Sequence, residues 1–141
     1  MKRSLLVAAL LLGGSARAAD PAADAAQGYT LEARATPGQP KVGEAGKLSV
    51  VISPRAPTWH VHPQAPLKIR FEAPPGLKVE RAELGRKDAV DPRAEAPRFE
   101  SGFLATAAGA QEARALVDFF ICSDTACVKQ TRALAIPVTV R

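Results

Sequence analysis

The sequence predicts an all-β protein, an immunoglobulin-like antiparallel β-sandwich of seven or eight strands. The first observation is that short apolar segments alternate residue by residue with polar ones, as in strands that have one buried face. The second is that the 12 prolines and 10 glycines of the 141-residue chain fall between many of these segments and mark turns. No stretch beyond the N-terminus has the pattern of an amphipathic helix.

Residues 1–18 are predicted to be a signal peptide. A basic start at Lys2-Arg3 precedes a short apolar run from Ser4 to Leu12, and Ala16-Arg17-Ala18 provides a small-residue cleavage motif. The apolar run is too short to span a bilayer, and no second apolar stretch follows it. We therefore expect cleavage after Ala18, export to the periplasm, and a mature chain that is not an integral membrane protein.

The remainder is predicted to be one domain with a short leader. Residues 19–28 are rich in alanine and lack periodicity, so we expect a disordered leader, with the sandwich domain spanning residues 29–141. Loss of three basic residues with the signal peptide lowers the formal net charge from +5 to +2. The remaining charges are interspersed, and aromatic residues are few, so no nucleic acid partner is expected.

Eight segments carry the strand pattern. The alternation is cleanest in Leu67–Phe71, where apolar residues alternate with basic ones. Proline and glycine interrupt the pattern between segments, most clearly at Pro74-Pro75-Gly76. In chain order the predicted strands are Tyr29–Ala35, Leu48–Ile52, Trp59–His62, Leu67–Phe71, Leu77–Leu84, Phe99–Thr106, Arg114–Ile121 and Leu134–Val140.

The predicted core consists of apolar residues that recur at every second position of these strands. These residues are Leu31, Val50, Ile52, Trp59, Ile69, Phe71, Val79, Val117, Phe119, Ile136 and Val138.

The segment from Gly85 to Arg98 has a different character. It carries many charges and two prolines but no periodic apolar face, which predicts a long loop. A long loop in a compact domain is more often functional or mobile than neutral.

Cys122 and Cys127 are the only cysteines, and four residues separate them. Ser123–Ala126 has the composition of a short turn between two strands. Opposed residues of an antiparallel pair lie within disulfide range, so we expect the cysteines to face each other near the tip of a β-hairpin. Two uses of such a disulfide stay open. It can be a structural clip, which for so short a loop adds about 2 kcal/mol, or a reversible bond used in thiol exchange.

The neighbouring charges are expected to act on a thiolate in opposite directions. Asp124 should oppose thiolate formation, whereas Lys129 and Arg132 should favour it. No helix N-terminus is predicted near either sulfur. We therefore expect a substrate or relay for a thioredoxin-like enzyme rather than a strong catalyst.

His60 and His62 lie two residues apart on a predicted strand and so point to one face, opposite Trp59 and Val61. Together with the two cysteines they have the composition of a Cys2His2 metal site. The favoured interpretation is that both histidines are exposed polar residues beside a core tryptophan, because hairpins rarely bring four such ligands together. We therefore assign no metal and no cofactor.

The order of these motifs resembles the N-terminal periplasmic domain of the thiol:disulfide interchange protein DsbD. The resemblance rests on Trp59–His62, Pro66–Phe71 and Pro75–Leu77, followed by a late strand that ends in a close cysteine pair. It covers nearly the whole mature chain. It implies an immunoglobulin-like fold and a domain that receives electrons through a thioredoxin-like domain of a membrane transporter and passes them to periplasmic thiol partners.

The resemblance also implies particular site residues. Cys122 and Cys127 match the family's redox pair, and Cys127 would be the one that forms mixed disulfides with partners. Phe99, at the end of the charged loop, lies where the family has a cap loop whose aromatic ring shields the disulfide. The chain departs from the family after its cysteines, where Val128-Lys129-Gln130 replaces the usual pair of prolines.

Three functions follow from these observations. The first is an exported thiol–disulfide exchange module that relays electrons through Cys122–Cys127 to or from thioredoxin-like periplasmic proteins. The second is a non-catalytic immunoglobulin-like interaction module with a structural disulfide. The third is a periplasmic metal-binding protein. Only the first would be a component of an oxidoreductase.

Overall fold

The computed structural model describes residues 20–141, and the predicted signal peptide with its cleavage site lies outside them. Within these residues the chain forms nine strands, one short α-helix and one 3-10 turn. The strands make two antiparallel sheets of four and five strands, which confirms the predicted all-β immunoglobulin-like sandwich. No helix of this part of the chain has the length and apolarity needed to cross a bilayer.

The two sheets, A and B, have different strand orders. Sheet A contains, in spatial order, β1 (Tyr29–Thr36), β2 (Ala45–Pro54), β7 (Arg98–Ala105) and β5 (Leu77–Val79). The centre of sheet B is β8 (Gly109–Cys122), which pairs on one side with β9 (Cys127–Val140). On its other side lie β3 (His60–Val61) and β4 (Lys68–Glu72), and β4 also pairs with β6 (Glu83–Gly85).

The core lies between the sheets. Most of the predicted core residues are buried there, but Leu31, Trp59 and Val79 are only half-buried. Leu31 and Val79 lie on β1 and β5, the edge strands of sheet A, which have a neighbouring strand on one side only. The largest fully buried side chains include Phe99, Phe103, Phe119, Leu48, Ile52, Ile69 and Ile121.

The predicted single strand Leu77–Leu84 is wrong, because the chain changes sheet inside it. Strand β5 pairs with β7 in sheet A, whereas β6 pairs with β4 in sheet B. The hydroxyl of Ser101 holds the crossing point: it accepts from the Arg81 N–H at 3.1 Å and donates to the Arg81 carbonyl at 2.8 Å. The N–H and the carbonyl of Arg81 are therefore hydrogen-bonded to a side chain instead of to a neighbouring strand.

The predicted disordered leader differs from the structure, which has an α-helix, α1, at Pro21–Ala26. The Asp20 side chain caps this helix by accepting from the Ala22 N–H at 3.0 Å, and Pro21 suits its first turn. Ala25 is buried against the core. A segment this short has too few residues to show helical periodicity, so the capping sequence Asp20-Pro21 is the feature that indicates the helix.

The loop predicted at residues 85–98 is confirmed between β6 and β7. It begins with a 3-10 turn at Arg86–Asp88 and has no further helix or strand before Arg98. The Asp88 carboxylate accepts from the Gly85 N–H at 2.7 Å and from the Arg81 guanidinium at 2.9 Å. The hydrogen bond from Gly85 has the larger effect and that from Arg81 the smaller, and together they hold the pKa of Asp88 below its usual range. Both bonds also fix the start of the loop.

Candidate functional site

A disulfide joins the two cysteines at the end of the β8–β9 hairpin. Cys122 is the last residue of β8 and Cys127 the first of β9, and they stand opposite each other in register with their Cα atoms 4.1 Å apart. The turn between them is closed by a hydrogen bond from the Ser123 N–H to the Ala126 carbonyl at 2.8 Å. The predicted pairing at a hairpin tip is therefore confirmed.

The two cysteines differ in exposure. Cys122 is only 1% exposed, and it lies on a central strand that has β9 on one side and β3 on the other. Cys127 is exposed at the start of β9, an edge strand of sheet B. A thiolate arriving from solvent therefore has access to Cys127 and not to Cys122.

A histidine lies beside the disulfide. A ring nitrogen of His62 and the sulfurs of Cys122 and Cys127 all lie within 4.8 Å of one another. The β3–β8 pairing brings the histidine there, because the His62 N–H donates to the Phe120 carbonyl at 3.0 Å. His60 pairs with Cys122 in register but is exposed and does not join this cluster. The four-ligand arrangement considered from the sequence is therefore not formed.

The backbone fixes the protonation pattern of the His62 ring. Its Nδ1 atom accepts hydrogen bonds from the N–H of Gln64 at 3.1 Å and from the N–H of Ala65 at 2.8 Å. An acceptor nitrogen carries no proton, so the neutral ring has its proton on Nε2. With Nδ1 engaged and Nε2 protonated, the ring is arranged as a hydrogen-bond donor rather than as a metal ligand.

Arg86 supports the turn that holds His62. Its guanidinium donates from Nε at 3.2 Å and from Nη2 at 3.0 Å to the Ala65 carbonyl. Burial lowers the pKa of Arg86 from its ordinary value. The sequence indicated a charged loop but gave no sign that Arg86 reaches back to the residues after His62.

The two basic residues predicted near the cysteines lie on different faces of β9. Side chains alternate along a strand, so Lys129 shares the face of Cys127 whereas Arg132 shares the face of Gln130. Arg132 donates to the Gln130 side chain at 2.8 Å and lies over the Tyr29 ring, 5.9 Å from its centroid. Arg132 therefore belongs to a structural network and not to the disulfide site.

Phe99, the predicted shielding residue, follows the charged loop. It lies on β7 of sheet A, opposite Val50, with no exposed surface. Its ring packs in the core between the sheets, whereas the disulfide belongs to sheet B, and the shielding role of Phe99 stays a prediction. The loop before it borders a cleft of about 520 Å³ together with Trp59 and His60.

A second groove, of about 540 Å³, borders the turn of the hairpin. It is lined by Pro21 and Asp24 of α1, by Thr58 and Trp59, and by Ser123–Ala126 of the turn. The indole of Trp59 packs directly on Gly28, where a Cβ atom would come within 2.5 Å of the ring. Gly28 therefore allows the tryptophan to sit close to the backbone beside the turn.

Comparisons with known proteins give a limited result. No protein-family model and no curated protein sequence matches the chain. A conjugative transposon lipoprotein from Bacteroides eggerthii is similar in structure, with 12% identity over 79% of this chain and 96% of that one and a TM-score of 0.43. A conjugate transposon protein from Bacteroides vulgatus has 14% identity over 79% of this chain and 83% of that one, with a TM-score of 0.42. A lipoprotein from Bacteroides thetaiotaomicron has 17% identity over 79% of this chain and 78% of that one, with a TM-score of 0.38. At these identities and scores the likenesses say nothing about activity or partners.

Proposed function

We propose that this protein is an exported thiol–disulfide exchange module that relays electrons between the Cys122–Cys127 disulfide and thioredoxin-like periplasmic proteins. The observation that carries the proposal is the unequal exposure of the two cysteines. Exchange requires one sulfur that a partner thiolate can reach and a second sulfur that leaves. Cys127 is exposed and Cys122 is buried, which supports giving the first role to Cys127 and the second to Cys122.

The exchange has two steps. A partner thiolate attacks the sulfur of Cys127, the Cys122–Cys127 bond breaks, and its electron pair leaves on the sulfur of Cys122. The second thiolate of the partner then attacks the mixed disulfide, which forms the partner's disulfide and releases Cys127 as a thiolate. Both cysteine thiolates take protons from water. Two electrons thus pass from the partner dithiol to this protein, and the reverse sequence returns them.

A purely structural clip is less well supported by the surroundings of the bond. The two 14-residue strands of the hairpin are paired along their whole length, and a backbone hydrogen bond already closes the turn. A cross-link at this point constrains only a short loop, for which the gain in stability is about 2 kcal/mol. The resemblance to the DsbD N-terminal domain and the predicted signal peptide support the same proposal.

The reduction potential of the purified oxidised protein is the decisive measurement. Equilibration with a series of glutathione ratios should give a value in the range of exchange-active disulfides. A value below about −300 mV would place the bond among inert structural disulfides and overturn the proposal. In that event the protein is better described as an immunoglobulin-like interaction module with a structural disulfide.

Two serine variants test which sulfur the partner reaches. Cys122→Ser leaves Cys127 unpaired, so Cys127 should form a mixed disulfide with the partner protein, and this protein then has no second thiol to resolve it. Cys127→Ser is the matched control and should trap much less partner, because Cys122 is buried. Equal trapping by both variants would contradict the assignment of Cys127 as the partner-facing residue. The mass of the trapped species, recovered from periplasm, also shows whether the mature chain begins at Ala19.

A further inference from the structure

We infer that the Nε2–H group of His62 donates a hydrogen bond to the sulfur of Cys122 when the disulfide opens and stabilises it as a thiolate. The inference rests on the proposed function for its biological use, and it adds a positioned donor to that site. Nothing in the cysteine motif points to this residue, because His62 lies 60 positions before Cys122. The fold brings the two together through the pairing of β3 with β8.

The first step of the argument is reach. A ring nitrogen of His62 lies within 4.8 Å of both sulfurs while they are bonded to each other. When the bond breaks, the sulfurs move apart, and the buried Cys122 has no solvent to stabilise its charge. The imidazole of His62 is therefore close to the sulfur on which negative charge develops, and a donor placed there lowers the barrier of a charge-forming step.

The second step is the direction of the donor. The N–H groups of Gln64 and Ala65 occupy Nδ1, so the ring proton lies on Nε2, the nitrogen that remains free to donate. The Arg86 guanidinium binds the Ala65 carbonyl and so restrains the same turn. The ring is thus held in one tautomer before any partner arrives.

The proton balance of the step is simple. The electron pair of the broken bond goes to the sulfur of Cys122, and Nε2–H donates a hydrogen bond to it without giving up its proton. Water later supplies the proton that converts the thiolate to a thiol. In the reverse direction the same bond keeps part of the Cys122 population ionised, so that it can attack the mixed disulfide formed by Cys127.

Other charged groups near the disulfide need to be considered. His60 lies opposite Cys122 in register, Asp124 lies in the turn, and Lys129 shares the face of Cys127. Asp124 opposes a thiolate, whereas Lys129 and a protonated His60 favour one. Asp124, Lys129 and His60 are all exposed, so solvent screens their effects. His62 is less exposed than these three groups, and its donor is the one that the backbone orients.

The test measures ionisation of Cys122 directly. In a Cys127→Ser background Cys122 is the only thiol, and the ultraviolet absorbance of its thiolate is followed against pH. The Cys122→Ser, Cys127→Ser double variant gives the contribution of the single tyrosine. Adding His62→Leu should move half-ionisation of the Cys122 thiol upward by about one pH unit or more, because a hydrogen bond to a charged group is lost. His62→Gln retains an N–H donor and should restore part of the change.

His60→Leu is the matched control, since it changes the other histidine of the same strand face. It should leave the titration of Cys122 nearly unchanged. If His62→Leu and His60→Leu give the same curve, the inference is overturned. In the two-cysteine protein, His62→Leu should slow reduction by dithiothreitol about tenfold relative to His60→Leu. Equal rates would count against the donor in the same way.

Two further results keep the inference separate from folding and from the proposed function. Nitrogen-15 NMR of the unmutated protein reports the tautomer of His62 even if a variant misfolds, and a ring with its proton on Nδ1 would overturn the inference. A very low reduction potential would overturn the exchange function while the titration could still show the hydrogen bond. Conversely, the disulfide can have an exchange-active potential while His62→Leu leaves the titration of Cys122 unchanged. That result would support the proposed function and overturn the inference about His62.

Discussion

Truncation of Phe119 to alanine is the clearest test of how β8 is held in the sandwich. Phe119 has no exposed surface, lies three residues before Cys122, and packs edge-to-face on Tyr29 with ring centroids 4.8 Å apart. Removing a fully buried phenylalanine costs about 3–5 kcal/mol. The aromatic pair adds about 0.5–1.5 kcal/mol beyond its buried area, so we expect a loss of roughly 3.5–6.5 kcal/mol of unfolding free energy.

The neighbouring Phe120 provides a matched control. It is the same residue type on the same strand, but it points to the other face of sheet B and is only half-buried. Because Phe120 buries about half as much of its side chain as Phe119 does, Phe120→Ala should cost roughly 1.5–2.5 kcal/mol, about half the cost of truncating a fully buried phenylalanine. Urea unfolding followed by circular dichroism, with the disulfide intact in both proteins, gives the two values. If Phe119→Ala costs no more than Phe120→Ala, the assignment of core and outer faces on β8 is incorrect.

Three other predictions concern the leader, the Tyr29 hydroxyl and the loop. Gly28→Ala should lose about 1–3 kcal/mol of stability because its methyl group would press on the Trp59 ring, whereas Gly38→Ala, with open space around its Cβ, should not. Thermal unfolding of both variants shows whether Trp59 packs on Gly28 as described. Tyr29→Phe removes a buried hydroxyl that donates to the Gln130 side chain at 2.9 Å and should lower the free energy of unfolding in urea by about 1 kcal/mol. An unchanged free energy would mean that water replaces this hydrogen bond. The pKa of Asp88 is lowered in the folded state, so its contribution is present above the unfolded value and lost as pH falls through the folded value. Asp88→Asn should therefore flatten the acid side of the stability–pH profile, and an unchanged profile would contradict the Gly85 and Arg81 hydrogen bonds.

The strand pattern could be predicted because each buried face repeats at every second residue. Ile69, Phe71, Val117 and Phe119 are buried as that period requires. The change of sheet after Val79 also left a trace in the sequence, since Leu84 is out of phase with Leu77 and Val79. The Ser101 hydroxyl that binds the backbone there comes from a distant strand, and no local pattern contains such a tertiary contact.

The candidate site was predictable in part. The cysteine pair followed from spacing and turn composition, because both are local. The positions of Phe99 and His62 depend on which strands pair, and alternation does not determine strand pairing. Phe99 has the pattern of a strand residue, which agrees with its place on β7 in the core. His62 could be recognised as a candidate ligand or donor. The two hydrogen bonds to its Nδ1 come from the turn at Gln64 and Ala65, whose conformation the sequence does not predict.

The place of the disulfide at the end of a fully paired hairpin has a mechanical consequence. Strand β8 is bonded on both sides, so breaking one S–S bond at its last residue leaves the ladder that carries the site intact. The oxidised and reduced proteins should then present almost the same surface, apart from the turn Ser123–Ala126. A partner that must bind one form and release the other would have to distinguish them through those four residues and the groove beside Trp59. For such a partner, affinity and redox state would be coupled through this small part of the molecule alone.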